Sequence, residues 1–234
     1  MATSHFHQIS PLLRHIEMLS PGSILDIGAG IGKWGFLCRD RLEFLEGRRD
    51  RSSWRTRIYG IEVHAGFRNP IWDYCYDRLW VGDALDVIDD APAVDLALLA
   101  DVIEHVPKGK GRDLLAKLEG KATYLLVSTP VSFFTGEHDD STPGAGHVSF
   151  WGRGDFSKYS YVTETHGGTR FFLIDLRRKD RRHLAVEGAE RYPFRSLVRG
   201  LALKTLHKLR LPSGRFVPPK AALEKRSPTG RRCY

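Results

Sequence analysis

Residues 23–35, SILDIGAGIGKWG, run an apolar strand directly into three alternating glycines and then into a helix-forming stretch. No other feature constrains the fold as much. A strand that turns into a helix through Gly28, Gly30 and Gly32 uses backbone conformations open mainly to glycine. Such a corner belongs to a doubly wound α/β sheet and puts a ligand site at the strand's carboxyl end.

The rest of the chain repeats the alternation. PLLRHIEML reads as a helix, with Ser10 as its N-cap and Pro11 at its first position, stopped by the Pro-Gly at 21–22. GKWGFLCRDRLEFL is a second helix, with Phe36, Leu37, Phe44 and Leu45 on or near one face, followed by the charged loop EGRRDRSSWRTR. IYGIEV is a second strand, NPIWDYCY a short helix, and RLWVGDA a third strand leading into a turn of helix. VDLALLAD is apolar almost throughout, as strands covered on both faces are. KGKGRDLLAKLEG is a helix closed by Gly120, and ATYLLVSTP a fifth strand. After a polar stretch, YSYVTET and TRFFLIDLRR read as two strands joined by a Gly167-Gly168 hairpin turn. The pattern predicts a Rossmann-like α/β fold: a doubly wound, mostly parallel seven-stranded sheet with an antiparallel C-terminal hairpin. It covers residues 1–180, with 1–20 as an N-terminal helical segment.

The charge is unevenly placed. Residues 177–234 hold 17 Lys and Arg against 4 Asp and Glu, a net +13, whereas residues 1–176 hold 19 against 24, a net −5. Residues 181–234 therefore read as a basic extension, with an amphipathic helix near 194–209 built on Phe194, Leu197, Val198, Leu201, Leu206 and Leu209. A solvated or packed tail is the first reading, an anionic membrane surface the second and nucleic acid the third. Cys38, Cys75 and Cys233 form no C-x-x-C, MATSHFHQIS lacks a signal peptide's pattern, and no apolar run nears the roughly 20 residues of a membrane span. A cytoplasmic protein, in one reading peripheral to the membrane, is expected.

Gly30, Gly32 and Gly35 spell the G-x-G-x-x-G of dinucleotide sites, but they begin two residues too late. Counted from Gly28, Lys33 falls where the last glycine belongs, so the match reads as an overlap. Asp26, two residues before Gly28, would repel a pyrophosphate and suit a cationic ammonium or sulfonium.

LDIGAGIG resembles the first motif of class I S-adenosylmethionine-dependent methyltransferases. IYGIEV, VGDALD and LLADVIEHV are similar to the family's later motifs in order and kind, the last to the D-x-x-E-H-V form of small-molecule methyltransferases. The resemblance covers about residues 20–176. It implies S-adenosylmethionine as cofactor, with Glu62 at the ribose hydroxyls and Asp83 at the adenine amine. Asp26, Gly28, Ala29, Gly30, Gly32, Ala84 and Asp101 complete the implied set. The interval from Asp26 to Glu62 is longer than the family's usual spacing, and the loop EGRRDRSSWRTR accounts for the excess.

Methyl transfer to oxygen benefits from a base, and loops after the fourth and fifth strands would face the acceptor. They offer Asp101, Glu104 and His105, then His138 and His147, of which His105, His147 and His138 are the catalytic candidates. For His105, bonding the backbone to orient its loop is the other reading; for His147 and Trp151, structural packing. His138, Asp139 and Asp140 could bind a metal, but adjacent loop carboxylates are more often solvated, so no metal is expected. Trp72, Tyr74 and Tyr76 read as core and His5–His7 as a mobile terminus, although the resemblance implies that an N-terminal segment can close over the site.

The expected activity is methylation of a small molecule such as a sugar, glycolipid precursor or secondary metabolite, at oxygen. RNA or protein methylation, suggested by the basic tail, is the alternative, and a non-catalytic partner subunit a third.

Overall fold

A computed structural model describes residues 4–132 and 146–177, and the backbone of 183–186. His138, Asp139, Asp140 and the helix expected at 194–209 lie outside the described residues.

The elements alternate as the sequence predicts. They run α1 (Ile9–Leu19), β1 (Ser23–Ile27), α2 (Lys33–Leu42), β2 (Arg57–Glu62), α3 (Pro70–Cys75), β3 (Arg78–Val81), α4 (Ala84–Val87), β4 (Val94–Ala100), α5 (Lys108–Glu119), β5 (Ala122–Pro130), β6 (Ser160–His166) and β7 (Thr169–Asp175). An eighth strand, β8 (His183–Val186), joins beyond the seven expected and lies past residue 180. The sheet order is β3-β2-β1-β4-β5-β7-β6-β8. Strands β1–β5 are parallel, and β7 runs antiparallel between β5 and β6. Gly167 and Gly168 both have positive φ, 56° and 81°, the geometry a two-residue hairpin turn demands.

Alternate residues of each central strand feed two cores. From β4, Ala97 and Leu99 face α5, meeting Leu114, Leu115 and Leu118. Leu96 and Leu98 face the opposite side, with Leu12 and Ile16 of α1 and Trp34 and Cys38 of α2. Each aliphatic side chain so buried contributes about 1.5–3 kcal/mol. The order reverses between β1 and β4, and in doubly wound sheets the ligand crevice opens at that switch point.

Several local details differ from expectation. Helix α1 begins at Ile9, so Ser10 and Pro11 sit inside its first turn rather than at its cap. Proline is tolerated there because first-turn N–H groups have no intrahelical acceptor. Arg14 and His15 of α1 bind Glu164 on β6, which fixes the helix to the sheet. In α2 the buried face is Trp34, Cys38, Arg39 and Leu42, while Phe36 is exposed; the helix ends at Leu42, and Leu45, in the turn that follows, is exposed too. Arg39 is accommodated because its guanidinium donates to Thr56 O, Cys75 O and Asp77 Oδ2. Buried Glu43 accepts from the backbone of Arg55 and Thr56 and orders the charged loop before β2. Gly120 follows α5 in a right-handed conformation, so its freedom is not what ends the helix.

Candidate active site

The cavity at the carboxyl ends of β1, β2 and β4 has a volume of about 520 Å³, within the range of ligand sites. Gly28, Ala29, Gly30, Glu62, Asp83, Ala84 and Asp101 line it, as do Glu104, His105 and His147. Asp26 and Gly32 are not among the lining residues.

One wall is the glycine loop. Gly28, Gly30 and Gly32 have φ of 77°, 54° and 91°. The N–H groups of Gly28 and Ala29 both donate to Ile61 O, which laces the loop to β2. Glu62, buried at the end of β2, accepts from Gly30 N through Oε2 (2.7 Å) and from His64 N through Oε1 (2.9 Å). A carboxylate oxygen has more than one acceptor site, so Glu62 keeps capacity toward the cavity. Helix α3 anchors the loop's carbonyls: Trp72 Nε1 donates to Gly30 O and Asn69 Nδ2 to Ile31 O. Gly32 admits that helix, because a Cβ there would come within 2.9 Å of Ile71.

Asp26 is placed differently from the sequence expectation. It faces away from the cavity, under the loop, where Tyr76 Oη donates to its Oδ2 at 2.6 Å. Its Oδ1 has no hydrogen-bond partner among the described residues. Burial pushes its carboxyl up to about 7, with the Tyr76 hydrogen bond opposing and Glu62 adding to the rise. The Gly35 of the overlapping dinucleotide pattern also serves Tyr76, whose ring would lie 2.5 Å from a Cβ at that position. Gly35 is therefore a packing glycine.

Asp83 caps α4 by accepting from Leu85 N at 2.9 Å, and its other oxygen lies 3.7 Å from Lys110 Nζ. Asp101 follows β4 with φ of 56°, an unusual conformation for a residue with a side chain. Ser128 of β5 holds it there: its hydroxyl donates to Asp101 Oδ1 (2.9 Å) and accepts the Asp101 N–H (3.1 Å). Burial raises the Asp101 carboxyl above its ordinary value, against the hydrogen bond from Ser128.

The second wall follows β4. Residues Ile103–His105 make a single tight turn. The Glu104 carbonyl accepts from Val148 N and Ser149 N, and Ser149 Oγ donates to Val106 O. These bonds clamp residues 146–149 against the turn and bring His147 beside His105, with ring centroids 5.0 Å apart. His105 Nδ1 lies 3.0 Å from Gly146 O. A carbonyl can only accept, so Nδ1 carries the proton and Nε2 keeps its lone pair. Burial, opposed in part by that carbonyl, lowers the imidazole below its ordinary value. Glu104 is 2 % exposed, and neither carboxylate oxygen meets a donor in hydrogen-bonding geometry, though Thr129 lies near enough to ease it slightly. Burial, with Asp101 adding to it, pushes its carboxyl up to about 8. Glu104, His105 and His147 present ligand atoms within 4.8 Å of one another.

One ring nitrogen of His105 thus holds the loop, and the residue lines the cavity. Trp151 separates from His147: it is fully buried against α5, where a Cβ on Gly111 would lie 2.4 Å from its ring. Trp72 and Tyr76 are buried as expected, while Tyr74 is exposed.

The N-terminal segment follows the second reading of it, closure over the site. Ser4, His5, His7 and Gln8 line the cavity instead of forming a free terminus. Lys33 Nζ donates to Ser4 O, Trp34 Nε1 to Ser4 Oγ, and Gln8 Nε2 to Thr169 Oγ1. The signal was a cluster of polar and aromatic residues directly before an amphipathic helix.

No protein-family model and no curated protein matches the chain. Solved structures do match its fold. An O-methyltransferase family protein from Burkholderia thailandensis aligns with TM-score 0.51 and 11 % identity, over 72 % of this chain and 56 % of its own. The methyltransferase domain of bacterial CtHen1-C aligns with TM-score 0.51 and 15 % identity, over 72 % and 96 %. The small RNA methyltransferase HEN1 aligns with TM-score 0.51 and 18 % identity, over 76 % of this chain and 26 % of that one. The chain thus spans little more than half of the Burkholderia protein and about a quarter of HEN1. At these identities the likeness establishes a shared fold: this sheet is built as the sheets of known methyltransferases are.

Proposed function

We propose that the chain is an S-adenosylmethionine-dependent methyltransferase acting on an oxygen of a small-molecule acceptor. The observation that carries this reading is the pairing of two walls on one cavity. Glycine loop, Glu62 and Asp83 form one; Glu104, His105 and His147 form the other. The donor set suits the cofactor. Glu62 can take adjacent ribose hydroxyls, Asp83 can accept from an adenine amine, and the glycine loop presents no side chain larger than Ala29 before Ile31.

The bound cofactor would supply a methyl group on a cationic sulfur, ready for in-line displacement. The chain's own contribution is position and proton handling. In this reading His105, which lines the cavity and holds its proton on Nδ1 toward Gly146, takes the acceptor's hydroxyl proton through Nε2. The N-terminal roof limits the entry of water and of bulky acceptors.

Calorimetry with S-adenosylmethionine and, separately, NAD tests the first half of the reading. Binding of NAD alone would sink it. A panel of hydroxylated small molecules, with S-adenosylhomocysteine release as the signal, tests the second half. RNA or protein methylation is the second reading, favoured by the +13 carried by residues 177–234 and by the presence of a small RNA methyltransferase among the structural neighbours. Turnover with RNA that depends on residues 190–234, and none with small hydroxyl compounds, would establish it instead.

A further inference from the structure

We propose that Arg153 and Arg170 form a binding site for a phosphate dianion, flanking the cavity at the β5–β7 edge of its mouth. Arg170 lies near the start of β7, opposite Thr129 of β5 and Thr165 of β6. Side chains alternate along a strand, so it shares a sheet face with Phe172 and Ile174, the face that packs on α5. Phe172 is the platform on which the pair is assembled. Phe156 and Tyr161 both pack on its ring, with centroids 4.6 and 5.4 Å away. Phe156 closes the short turn Arg153–Phe156, and Tyr161 Oη donates to Arg153 O at 3.4 Å. The turn is thereby pinned to the face from which Arg170 projects.

Neither guanidinium is neutralised from within. Among the described residues no carboxylate pairs with either arginine, and the half-buried Arg170 holds its Nε out of water without a hydrogen-bond partner. The acid in the same turn, Asp155, is committed elsewhere: its oxygens take Lys108 Nζ and Gly152 N, each at 2.8 Å. Burial, with Arg153 adding to it and Tyr161 opposing, lowers the Arg170 guanidinium below its ordinary value. Arginine keeps its charge in proteins, so the two cations repel. An anion held between them removes that repulsion and gives Nε an acceptor. A guanidinium offers its N–H donors as a planar fork that fits phosphate oxygens two at a time. Two such forks, with two positive charges, match a doubly charged phosphate better than a singly charged carboxylate.

The location ties the site to the acceptor. Neither arginine lines the cavity, but Thr169 beside Arg170 does, and so does Pro130, its partner on β5. On the other side, Arg153 ends the segment that begins at His147 on the acceptor wall. Where the methyl-transfer reading above holds, on which this step rests, the acceptor is a phosphorylated hydroxyl compound, gripped by its phosphate while a hydroxyl enters the cavity.

The test uses the full chain without cofactor at about pH 8, where a phosphate with second pKa near 6 is a dianion. Inorganic phosphate and ribose 5-phosphate are titrated by calorimetry, with ribose and with sodium chloride at matched ionic strength as blanks. One phosphate per chain is expected. Affinity should fall by about tenfold or more in both Arg153→Gln and Arg170→Gln, each of which loses a charge-assisted fork. It should stay unchanged in Arg177→Gln, beyond the far end of β7. Circular dichroism checks that each variant is folded; Arg153, exposed on a turn, is the change least able to unfold the chain. Tighter binding of ribose 5-phosphate than of inorganic phosphate places the group on an acceptor, and equal affinity makes the site one for free phosphate. No saturable binding of either compound, or equal affinity in the parent and both variants, would overturn the site. S-adenosylmethionine affinity in the same samples reports on the methyltransferase reading separately, so either idea can fail alone.

Discussion

The two walls of the cavity are built on opposite principles. On the glycine-loop wall, polar groups are satisfied from within: Gly28 and Ala29 donate to Ile61, and Gly30 and His64 donate to Glu62. On the wall after β4, Asp101 is held at positive φ, the buried Glu104 oxygens meet no donor in hydrogen-bonding geometry among the described residues, and His105 is anchored through Nδ1. The first wall is finished before any ligand arrives. The second forgoes stability at a place where something from outside can supply the missing partner, and strain or unsatisfied groups commonly mark functional sites.

The sharpest way to break this contrast is Glu62→Ala. It removes the acceptor of two backbone donors and of the expected ribose contacts. Hydrogen bonds to charged groups are worth about 1.5–3 kcal/mol each. S-adenosylmethionine affinity by calorimetry should fall by about 100-fold or more; a near-wild-type value would mean the wall does not depend on Glu62. Next in size is His105→Ala, expected to lower kcat by about 100-fold, within the usual reach of a general base. Cofactor affinity should change little, because His105 belongs to the other wall. If kcat and cofactor affinity fell together, the two walls would have to be treated as one unit.

Gly28→Ala tests whether the first wall is finished. The position has φ of 77°, which costs a residue with a Cβ about 1–2 kcal/mol. The new Cβ would also lie 2.5 Å from Val102 Cγ2, and valine is stiff about χ1. Urea denaturation should show a loss of about 2–3 kcal/mol, within the range for backbone strain combined with overpacking. Adding Val102→Ala should recover the part due to the clash. Undiminished stability in the single variant would show that the loop can relax.

The finished wall was legible in the sequence and the unfinished one only in part, for a physical reason. Strand, glycines and helix are local along the chain, so SILDIGAGIGKWG announces the corner directly. Glu62 and Asp83 followed from the family resemblance, which places acidic residues at the ends of the second and third strands. The second wall depends on pairings no local pattern encodes. His147 meets His105 only because Val148 and Ser149 bond the Glu104 carbonyl, and Asp101 is posed by Ser128 on the next strand. The roof made by Ser4–Gln8 was only the second reading of the N-terminus for the same reason, since its partners are Lys33, Trp34 and Thr169. Asp26 was read by its position on the strand, but Tyr76, just after α3, decides where it points.

That misplacement gives the smallest and most discriminating prediction. Asp26 holds its proton up to about pH 7 in the folded chain, whereas an aspartate in the unfolded chain loses it near 3.8. Between those values the folded state binds more protons, so stability falls as pH rises through the window. Asp26→Asn removes this dependence. Its amide can still accept from Tyr76 Oη, but its NH₂ meets the place where Oδ1 has no partner, and an unsatisfied buried donor costs about 1–3 kcal/mol. The variant should therefore be less stable than the parent near pH 5 and draw level or overtake it near pH 8, with a difference of about 1 kcal/mol on either side of a crossover close to neutrality. Urea midpoints across pH 4.5–8.5 would show the crossing. Parallel curves would mean that Asp26 is already ionised in the folded state. A large loss of cofactor affinity in a variant of unchanged stability would return Asp26 to the ligand side of the loop.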